Sequence, residues 1–361
     1  MLRITKRFTL SVAALAICLG ACESSMSATY PKSNLMSIDK VSLAPRCVGR
    51  FVVDVPSETL TFGRAKVQGV SLDSKKMTRE DFVRDMQATE AKLTDTKSVF
   101  GYKYLYEHGV GPTADTRYFI HLKTPNESSD SSRTIDAYKW ADGYRLKLSI
   151  TGSDFTESIY KSTPSVMSLD VKNDVPQKSR LVFDLLGRIR GRDDHVIPTE
   201  PGVCFLGGFL SGKAQTNEEV SSQFVVAAAT DVSFGVETNS GIRETTTLLQ
   251  RGEQIKGMLK NADGGRTIRS GPLSLPEIQA EEWLMAGLSP ISVQGNFFML
   301  EANSTTSSAQ NPLVGVEMHN GWPAPDGLSK QTPEKASLTE NESVALWDAV
   351  SRTLRPRPNG F

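Results

Sequence analysis

A glycine-rich segment in the second half of the chain has the residue types and spacing of a phosphate-binding loop. It runs Gly207-Gly208-Phe209-Leu210-Ser211-Gly212-Lys213. Such a loop holds phosphates on backbone N–H groups and a lysine, and a Ser or Thr hydroxyl directly after the lysine binds Mg²⁺. Ala214 stands at that position. The segment is therefore interpreted as a turn after a strand, and no nucleotide cofactor is expected.

Other residues that could perform catalysis do not form a coherent site. The chain contains no Gly-x-Ser-x-Gly nucleophile elbow. None of its histidines has metal-pair spacing on a helix; they are His108, His121, His195 and His319. Asp193-Asp194-His195 is more typical of a charged linker, and the apolar neighbours of Cys204 indicate a buried or bridged sulfur rather than a nucleophile. We expect a protein without catalytic residues, metal ligands or cofactor.

The covalent modification that the sequence predicts is lipidation of Cys22. A basic N-terminal stretch precedes an apolar run from Phe8 to Leu19, which is too short to span a bilayer. The run ends in Leu19-Gly20-Ala21-Cys22, the small residues and cysteine that a lipoprotein signal peptidase requires. Residues 1–21 are thus expected to be a signal peptide, with an ordinary secretory signal as the alternative.

The charge of the exported chain limits its partners. The sequence has 41 basic and 41 acidic residues, and removal of the three basic residues of the signal leaves a net charge of −3. This balance does not favour nucleic acid or an anionic membrane surface as partner. We expect a periplasmic protein attached to a membrane by its lipid. Glu23 after the lipidated cysteine favours the inner leaflet of the outer membrane.

Hydrophobic periodicity predicts a tether followed by two similar sets of elements. Residues 22–40 are Ser-rich and are interpreted as a flexible tether. The first set is predicted to contain strands at 51–56 and 60–70, a helix capped by Thr78, strands at 117–122, 133–140 and 144–150, and a helix at 178–190. The second set is predicted to contain strands at 202–206 and 223–230, a helix at 244–261, strands at 283–288, 293–300 and 313–318, and a helix at 340–355.

The last helices of the two sets also resemble each other in sequence. Phe183–Arg190 aligns with Trp347–Arg355 if one insertion is allowed. Together with the matching element order, this predicts a duplicated α+β unit. We expect an N-terminal α+β domain at residues 41–196 and a C-terminal α+β domain at residues 197–361, each with an antiparallel sheet and packed helices.

Two further features have alternative interpretations. Cys47 and Cys204 are the cysteines left after the signal region, and in an oxidising compartment they could form a disulfide or remain two separate buried thiols. Trp322 could be an exposed anchor for a partner, or it could pack its loop onto the protein's own core.

Three sequence blocks make the chain similar to a known family. They are Cys47-Val48-Gly49-Arg50-Phe51-Val52-Val53-Asp54-Val55-Pro56, then Gly202-Val203-Cys204-Phe205, then Leu346-Trp347-Asp348-Ala349-Val350 followed by Arg355-Pro356-Arg357. In order and spacing they resemble the immunity lipoproteins that protect bacteria from type VI secretion phospholipase effectors. The resemblance extends over essentially the whole mature chain.

The resemblance implies a clamp-like body of two related α+β domains that binds a lipase effector in the periplasm. It also implies that the protein inhibits the lipase by holding the lid elements of that enzyme closed, so that lipid cannot enter it. It does not identify the residues that contact the effector. The alternative is a periplasmic substrate-binding or envelope-assembly lipoprotein with a ligand cleft between its domains.

Overall fold

The computed structural model describes residues 41–323, 328 and 333–361. The predicted signal peptide, Cys22 and the tether lie outside the described residues. Within the described part, no helix is long and apolar enough to cross a membrane.

The chain folds into two successive sets of elements with the same order. The first set comprises β1 (Leu43–Val48), β2 (Phe51–Pro56), β3 (Thr59–Val67), β4 (Val70–Lys76), α1 (Arg79–Asp95), β5 (Leu105–Val110), β6 (Thr116–His121), β7 (Ser132–Ala141), β8 (Tyr144–Ser153), α2 (Pro164–Met167), α3 (Val175–Arg188) and β9 (Ile189–Gly191). The second set comprises β10 (Gly202–Phe205), β11 (Gly208–Ser211), β12 (Glu218–Val226), β13 (Ser233–Asn239), a 3₁₀ turn (Leu249–Arg251), α4 (Gly252–Lys260), β14 (Arg266–Leu275), β15 (Ile278–Leu288), β16 (Gln294–Ala302), β17 (Leu313–Asn320), α5 (Glu340–Ser351) and β18 (Arg355–Pro356).

One twelve-stranded antiparallel sheet contains strands of both sets. Its order is β14-β15-β16-β17-β13-β12-β3-β4-β8-β7-β6-β5, so the first six strands repeat the last six in mirror order. The two halves meet where β3 pairs with β12 over nine residue pairs, from Glu218–Val67 to Val226–Thr59. The predicted α+β class, with two related units of antiparallel strands and packed helices, is confirmed.

One face of the sheet forms the main core, which we call the core face. Alternate strand residues such as Leu148 and Val316 point into it, and both are fully buried. Helix α3 covers this face in the first half with Val182 and Leu185, and α5 covers it in the second half. The indole of Trp347 on α5 is fully buried.

The opposite face, which we call the open face, carries one helix near each end of the sheet. Helix α1 packs Phe82 and Met86 against Phe119 of β6. Helix α4 packs Ile255 against Trp283 of β15. The middle of this face lies between the two helices.

Local sequence explains most helix starts and several departures from prediction. The side chain of Thr78 accepts a hydrogen bond from the Asp81 N–H at 3.1 Å, and Thr339 with Glu342 forms the predicted capping box at α5. The helix predicted at 340–355 ends at Ser351, because the chain leaves it to form β18.

Two other predicted elements differ from the structure. The strand predicted at 60–70 is a hairpin, because Gln68 and Gly69 both adopt positive φ (51° and 85°) and turn the chain into β4. The helix predicted at 244–261 begins only with the 3₁₀ turn at Leu249. Residues Glu244–Leu248 contain three consecutive threonines, which are weak helix formers.

The last strand of each set pairs with the β-hairpin that begins the other set. Strand β9 pairs with β11, and β18 pairs with β2, so two small three-stranded sheets each contain residues from both sets. The two halves are therefore joined at three places: the β3–β12 ladder and both exchanged strands.

The Cys47-Val48-Gly49-Arg50 block lies where the β1–β2 hairpin contacts the β10–β11 hairpin. Cys47 and Cys204 form a disulfide with Cα atoms 5.7 Å apart. Gly49 and Cys204 exchange two backbone hydrogen bonds of 2.9 and 2.8 Å. Gly49 has φ of +58°, and a Cβ there would lie 2.2 Å from the Thr238 hydroxyl, so only glycine fits this contact.

Arg50 adds a buried ion pair to the same junction. Its guanidinium donates to both carboxylate oxygens of Glu218 at 2.8 and 2.7 Å, and the side chains are 3% and 9% exposed. It also donates to the carbonyls of Gly212 (3.1 Å) and Gly360. A residue of the first set thus fixes the start of β12 and the C-terminal segment together.

Removal of the disulfide is expected to destabilise the protein substantially. The bridge closes a separation of 157 residues, for which chain-entropy estimates give about 4–5 kcal/mol as an upper value. A Cys47→Ser/Cys204→Ser variant should unfold at a clearly lower denaturant midpoint and with a steeper slope, because its unfolded chain is less compact. Mass spectrometry after alkylation without reductant checks the premise, and two freely alkylated thiols in native protein would contradict it.

Arg50→Ala should cost about 3–5 kcal/mol, because it leaves the Glu218 carboxylate buried without its partner. A double variant, Arg50→Met/Glu218→Leu, should recover much of that loss, because no unpaired charge remains. Urea denaturation of the three proteins measures this. Equal stability of Arg50→Ala and the native protein would show that the ion pair does not hold the junction.

Candidate functional site

The residues with apparent catalytic spacing have structural contacts. Gly207 occupies the turn between β10 and β11, and no helix follows it as a phosphate-binding loop requires. The Asp194 carboxylate accepts a hydrogen bond from the Gly207 N–H at 2.9 Å, and Asp193 accepts one from the Tyr144 hydroxyl at 2.7 Å. Asp194 therefore fixes the segment between β9 and β10 to the β10–β11 turn, and Asp193 fixes it to the start of β8. His195 is exposed beside them.

The histidines lie apart from one another. His108 pairs with Glu90 at 3.1 Å, while His121 Nδ1 donates a hydrogen bond to the buried Leu122 carbonyl at 2.7 Å. In residues 41–323, 328 and 333–361, no group of three or more His, Cys, Asp or Glu side chains could hold a metal ion.

A buried charge network around Asp136 is the constellation closest to a catalytic one, and sequence reasoning missed it. The Asp136 carboxylate accepts from Ser149 Oγ at 2.6 Å and Lys147 Nζ at 2.7 Å, and His121 Nε2 lies 3.5 Å away. Burial alone would raise the pKa of Asp136, but these hydrogen bonds and the lysine charge lower it to about 2. Ser149 donates to the carboxylate rather than to His121, so no activated nucleophile results.

Trp322 belongs to a stack of three aromatic rings on the open face of the second half. Its indole stacks on the imidazole of His319 with ring centroids 4.6 Å apart, and His319 stacks on Phe297 at 4.9 Å. All three side chains are half-buried. Trp322 thus packs against its own sheet while keeping part of its ring exposed.

Asp231 fixes both ends of the segment that follows this stack. One carboxylate oxygen accepts from the Gly321 N–H at 3.1 Å and from the Ser337 N–H at 2.8 Å, and the other accepts from the Ser337 hydroxyl. The Asp231 carbonyl accepts from the Trp322 N–H at 3.3 Å. The aromatic stack is therefore held at the base of a closed loop.

The middle of the open face presents polar and charged side chains to solvent. We call the outward-facing residues of β3 and β12 the central strip: Phe62, Arg64, Lys66, Glu219, Ser221 and Gln223. Phe62, Arg64, Lys66 and Glu219 are exposed, and Ser221 and Gln223 are half-buried. Register places Lys66 directly opposite Glu219 and Phe62 opposite Gln223.

The strip is exposed although it lies at the centre of the sheet, because α1 and α4 cover the open face only towards its two ends. A helix with side chains is about 10 Å thick, so the two helices form walls on either side of the strip. The strip is therefore a broad, solvent-exposed surface flanked by two helices.

Solved structures of immunity proteins have this fold. An apo immunity protein, TplEi of the type VI secretion system from Pseudomonas aeruginosa, superposes with a TM-score of 0.69 at 17% identity, covering 90% of this chain and 100% of that one. The Tle4–Tli4 complex gives a TM-score of 0.65 at 18% identity, covering 88% and 98%. TplEi complexed with an "L" peptide gives 0.63 at 18% identity, with the same coverage.

The architecture is thus that of type VI secretion immunity proteins. Residues 44–192 match the N-terminal domain model of Tle cognate immunity protein 4, and residues 196–359 match its C-terminal domain model. The chain belongs to the Tle cognate immunity protein 4 family. In a comparison with curated proteins, nothing matches its sequence.

The aromatic stack should make stability sensitive to mild acid. Burial lowers the pKa of His319 to about 4, whereas an unfolded histidine titrates near 6.5. Between these values protons bind the unfolded state preferentially, so stability falls as pH decreases from about 6.5 to about 4.

His319→Gln should remove at most about 2 kcal/mol of the stability difference between pH 7 and pH 5, measured by urea denaturation at both values. His195→Gln, at an exposed histidine, is the matched control and should leave the difference unchanged. An identical pH dependence in His319→Gln and the native protein would contradict the assignment.

Proposed function

We propose that this protein is a periplasmic immunity lipoprotein that binds a type VI secretion phospholipase effector and inhibits it by binding alone. The observation that carries the proposal is the match of both halves to the Tle cognate immunity protein 4 domain models. The solved Tle4–Tli4 complex supports an effector protein as partner.

We further propose that the central strip forms part of the effector-binding surface. Together with the neighbouring strands β4 and β13, the strip spans about 14 Å across the sheet, and a nine-residue strand is about 30 Å long. This gives a floor of roughly 400 Å². A specific interface usually buries about 800 Å² on each partner. The facing sides of α1 and α4 must therefore contribute as well, so the effector would contact both halves at once.

The anchoring and the domain division belong to the same proposal. Lipid at Cys22 would hold the protein at the membrane whose phospholipids the effector attacks, with Glu23 favouring the inner leaflet of the outer membrane. We propose domains at residues 41–196 and 197–361, and the extents of the two family models support a division near residue 196.

Inhibition should follow the stoichiometry of a complex. We expect the cognate phospholipase to lose its phospholipid hydrolysis at a near-equal molar ratio of immunity protein, and to be recovered intact and active after dissociation. Inhibition at strongly sub-stoichiometric doses, or cleaved lipase, would show that the protein acts as an enzyme.

Charge reversal on the strip should weaken the complex. Arg64→Glu/Lys66→Glu is expected to reduce affinity at least tenfold, measured by titration calorimetry, because two exposed cations of the strip become acidic. Arg180→Glu/Lys213→Glu reverses two exposed cations that lie outside the strip and outside α1 and α4, and it serves as the control. If both double variants bind equally well, the strip lies outside the interface.

A further inference from the structure

Exposed apolar side chains concentrate at one end of the first half. Of the twelve large hydrophobic residues that are exposed in the described chain, seven lie in two loops, at 96–104 and 154–173. These seven are Val99, Phe100, Ile159, Tyr160, Met167, Leu169 and Val171. Val99 is 70% exposed and Ile159 is 65% exposed. We call these two loops the apolar tip; such a concentration marks an interaction site.

The two loops of the apolar tip are fixed to one another through a third loop, between β6 and β7. The hydroxyls of Tyr102 and Tyr160 both donate to the Ser128 carbonyl at 3.3 Å. The Asp130 carboxylate accepts from the Ser158 hydroxyl at 2.5 Å and the Ile159 N–H at 3.0 Å. The exposed side chains are therefore held on a fixed scaffold.

The second loop leaves and rejoins the sheet at a closed neck. Phe155 N–H donates to the Lys172 carbonyl at 2.8 Å, and Asp154 and Asn173 form an isolated bridge. The loop thus projects as a unit, with Met167, Leu169 and Val171 exposed along it. These side chains are not filling a gap in the protein's own core.

A groove of about 440 Å³ adjoins the apolar tip at the end of α1. Three tyrosines and two lysines line it (Tyr102, Tyr104, Tyr106, Lys97 and Lys103), and none of its lining residues is a carboxylate. His108 at its rim is paired with Glu90. The loop at 96–104 carries two lysines and no acidic residue, so the groove suits a phosphate group.

We propose that the apolar tip and this groove form a membrane-docking site, which inserts apolar side chains among phospholipid acyl chains and binds a lipid phosphate at Lys97 and Lys103. Lysines flank the apolar residues in Lys97-Ser98-Val99-Phe100-Gly101-Tyr102-Lys103, the arrangement of aromatic rings and long cations that suits a lipid–water interface.

The part of the chain outside the structure permits this orientation. Residues 23–40 could extend over about 60 Å, so a lipid at Cys22 would not prevent the tip from facing the bilayer. The loops at 96–104 and 154–173 together contain four lysines and three acidic residues. Insertion of apolar side chains therefore dominates the binding, and the lysines add a smaller salt-dependent contribution.

Vesicle flotation tests the proposal with the mature chain carrying Cys22→Ala, which removes the lipid and keeps the whole folded body. The Cys22→Ala chain with an unchanged apolar tip should float with vesicles of phosphatidylethanolamine and phosphatidylglycerol (3:1). Phe100→Ser/Ile159→Ser should reduce the bound fraction at least tenfold. Met258→Ser/Leu288→Ser removes two exposed apolar side chains of the second half and should leave it unchanged.

Depth and head-group contact have separate readouts. In a Phe100→Trp variant, brominated acyl chains should quench the added fluorescence. Lys97→Glu/Lys103→Glu should weaken flotation severalfold and remove its salt dependence, whereas Lys213→Glu/Lys260→Glu should not. All of these positions are exposed, so circular dichroism should show unchanged unfolding.

Three results would overturn the proposal. The first is that the Cys22→Ala chain does not float with vesicles. The second is that the tip and control variants lose vesicle binding equally. The third is that Phe100→Ser/Ile159→Ser loses effector binding but keeps vesicle binding. The last result would assign the tip to the effector interface. Retention of effector binding by this variant, together with lost flotation, supports membrane docking whether or not the central strip is the effector-binding surface.

Discussion

The antiparallel pairing of β3 with β12 is the interaction on which the remaining architecture depends. It brings two sets of elements, separated by about 150 residues in the chain, into one sheet. Because the two halves form one continuous sheet, they share a single core face, which α3 and α5 cover. The exchanged strands, the disulfide and the Arg50–Glu218 pair all lie on that core side. They leave the other face free for α1, α4 and the central strip.

The features that make the family recognisable are therefore features of the junction. Gly49 permits close approach of the two hairpins, Cys47 and Cys204 link them, and Arg50 neutralises a carboxylate that would otherwise be buried alone. Trp347 donates to the buried Glu282 beneath α5. These contacts explain why a sequence block can identify the fold without indicating which surface binds a partner.

Local patterns predicted the α+β class, the repeat and the helices with strong caps, because Thr78 and Thr339 specify their helix starts directly. They did not predict β5 and β14, whose residues lie at the sheet edges and lack a buried alternate face. They also did not predict the β3–β12 pairing, because local periodicity contains no information about which strand, about 150 residues away, pairs with a given strand. The central strip depends on that pairing, and the Asp136 network depends on the register of β6, β7 and β8, so neither could be assigned in advance.

The continuous sheet has a consequence for how the protein recognises a partner. Two arms connected by a flexible hinge would close around their target and lose conformational freedom in doing so. Here the nine residue pairs of the β3–β12 ladder and the Cys47–Cys204 disulfide join the two halves and restrict hinge motion between them. The proposed binding surface is thus formed before encounter, and we expect the conformational adjustment needed for a tight fit to fall on the partner. An enzyme with movable surface elements would then be captured in whichever of its own shapes matches this rigid template.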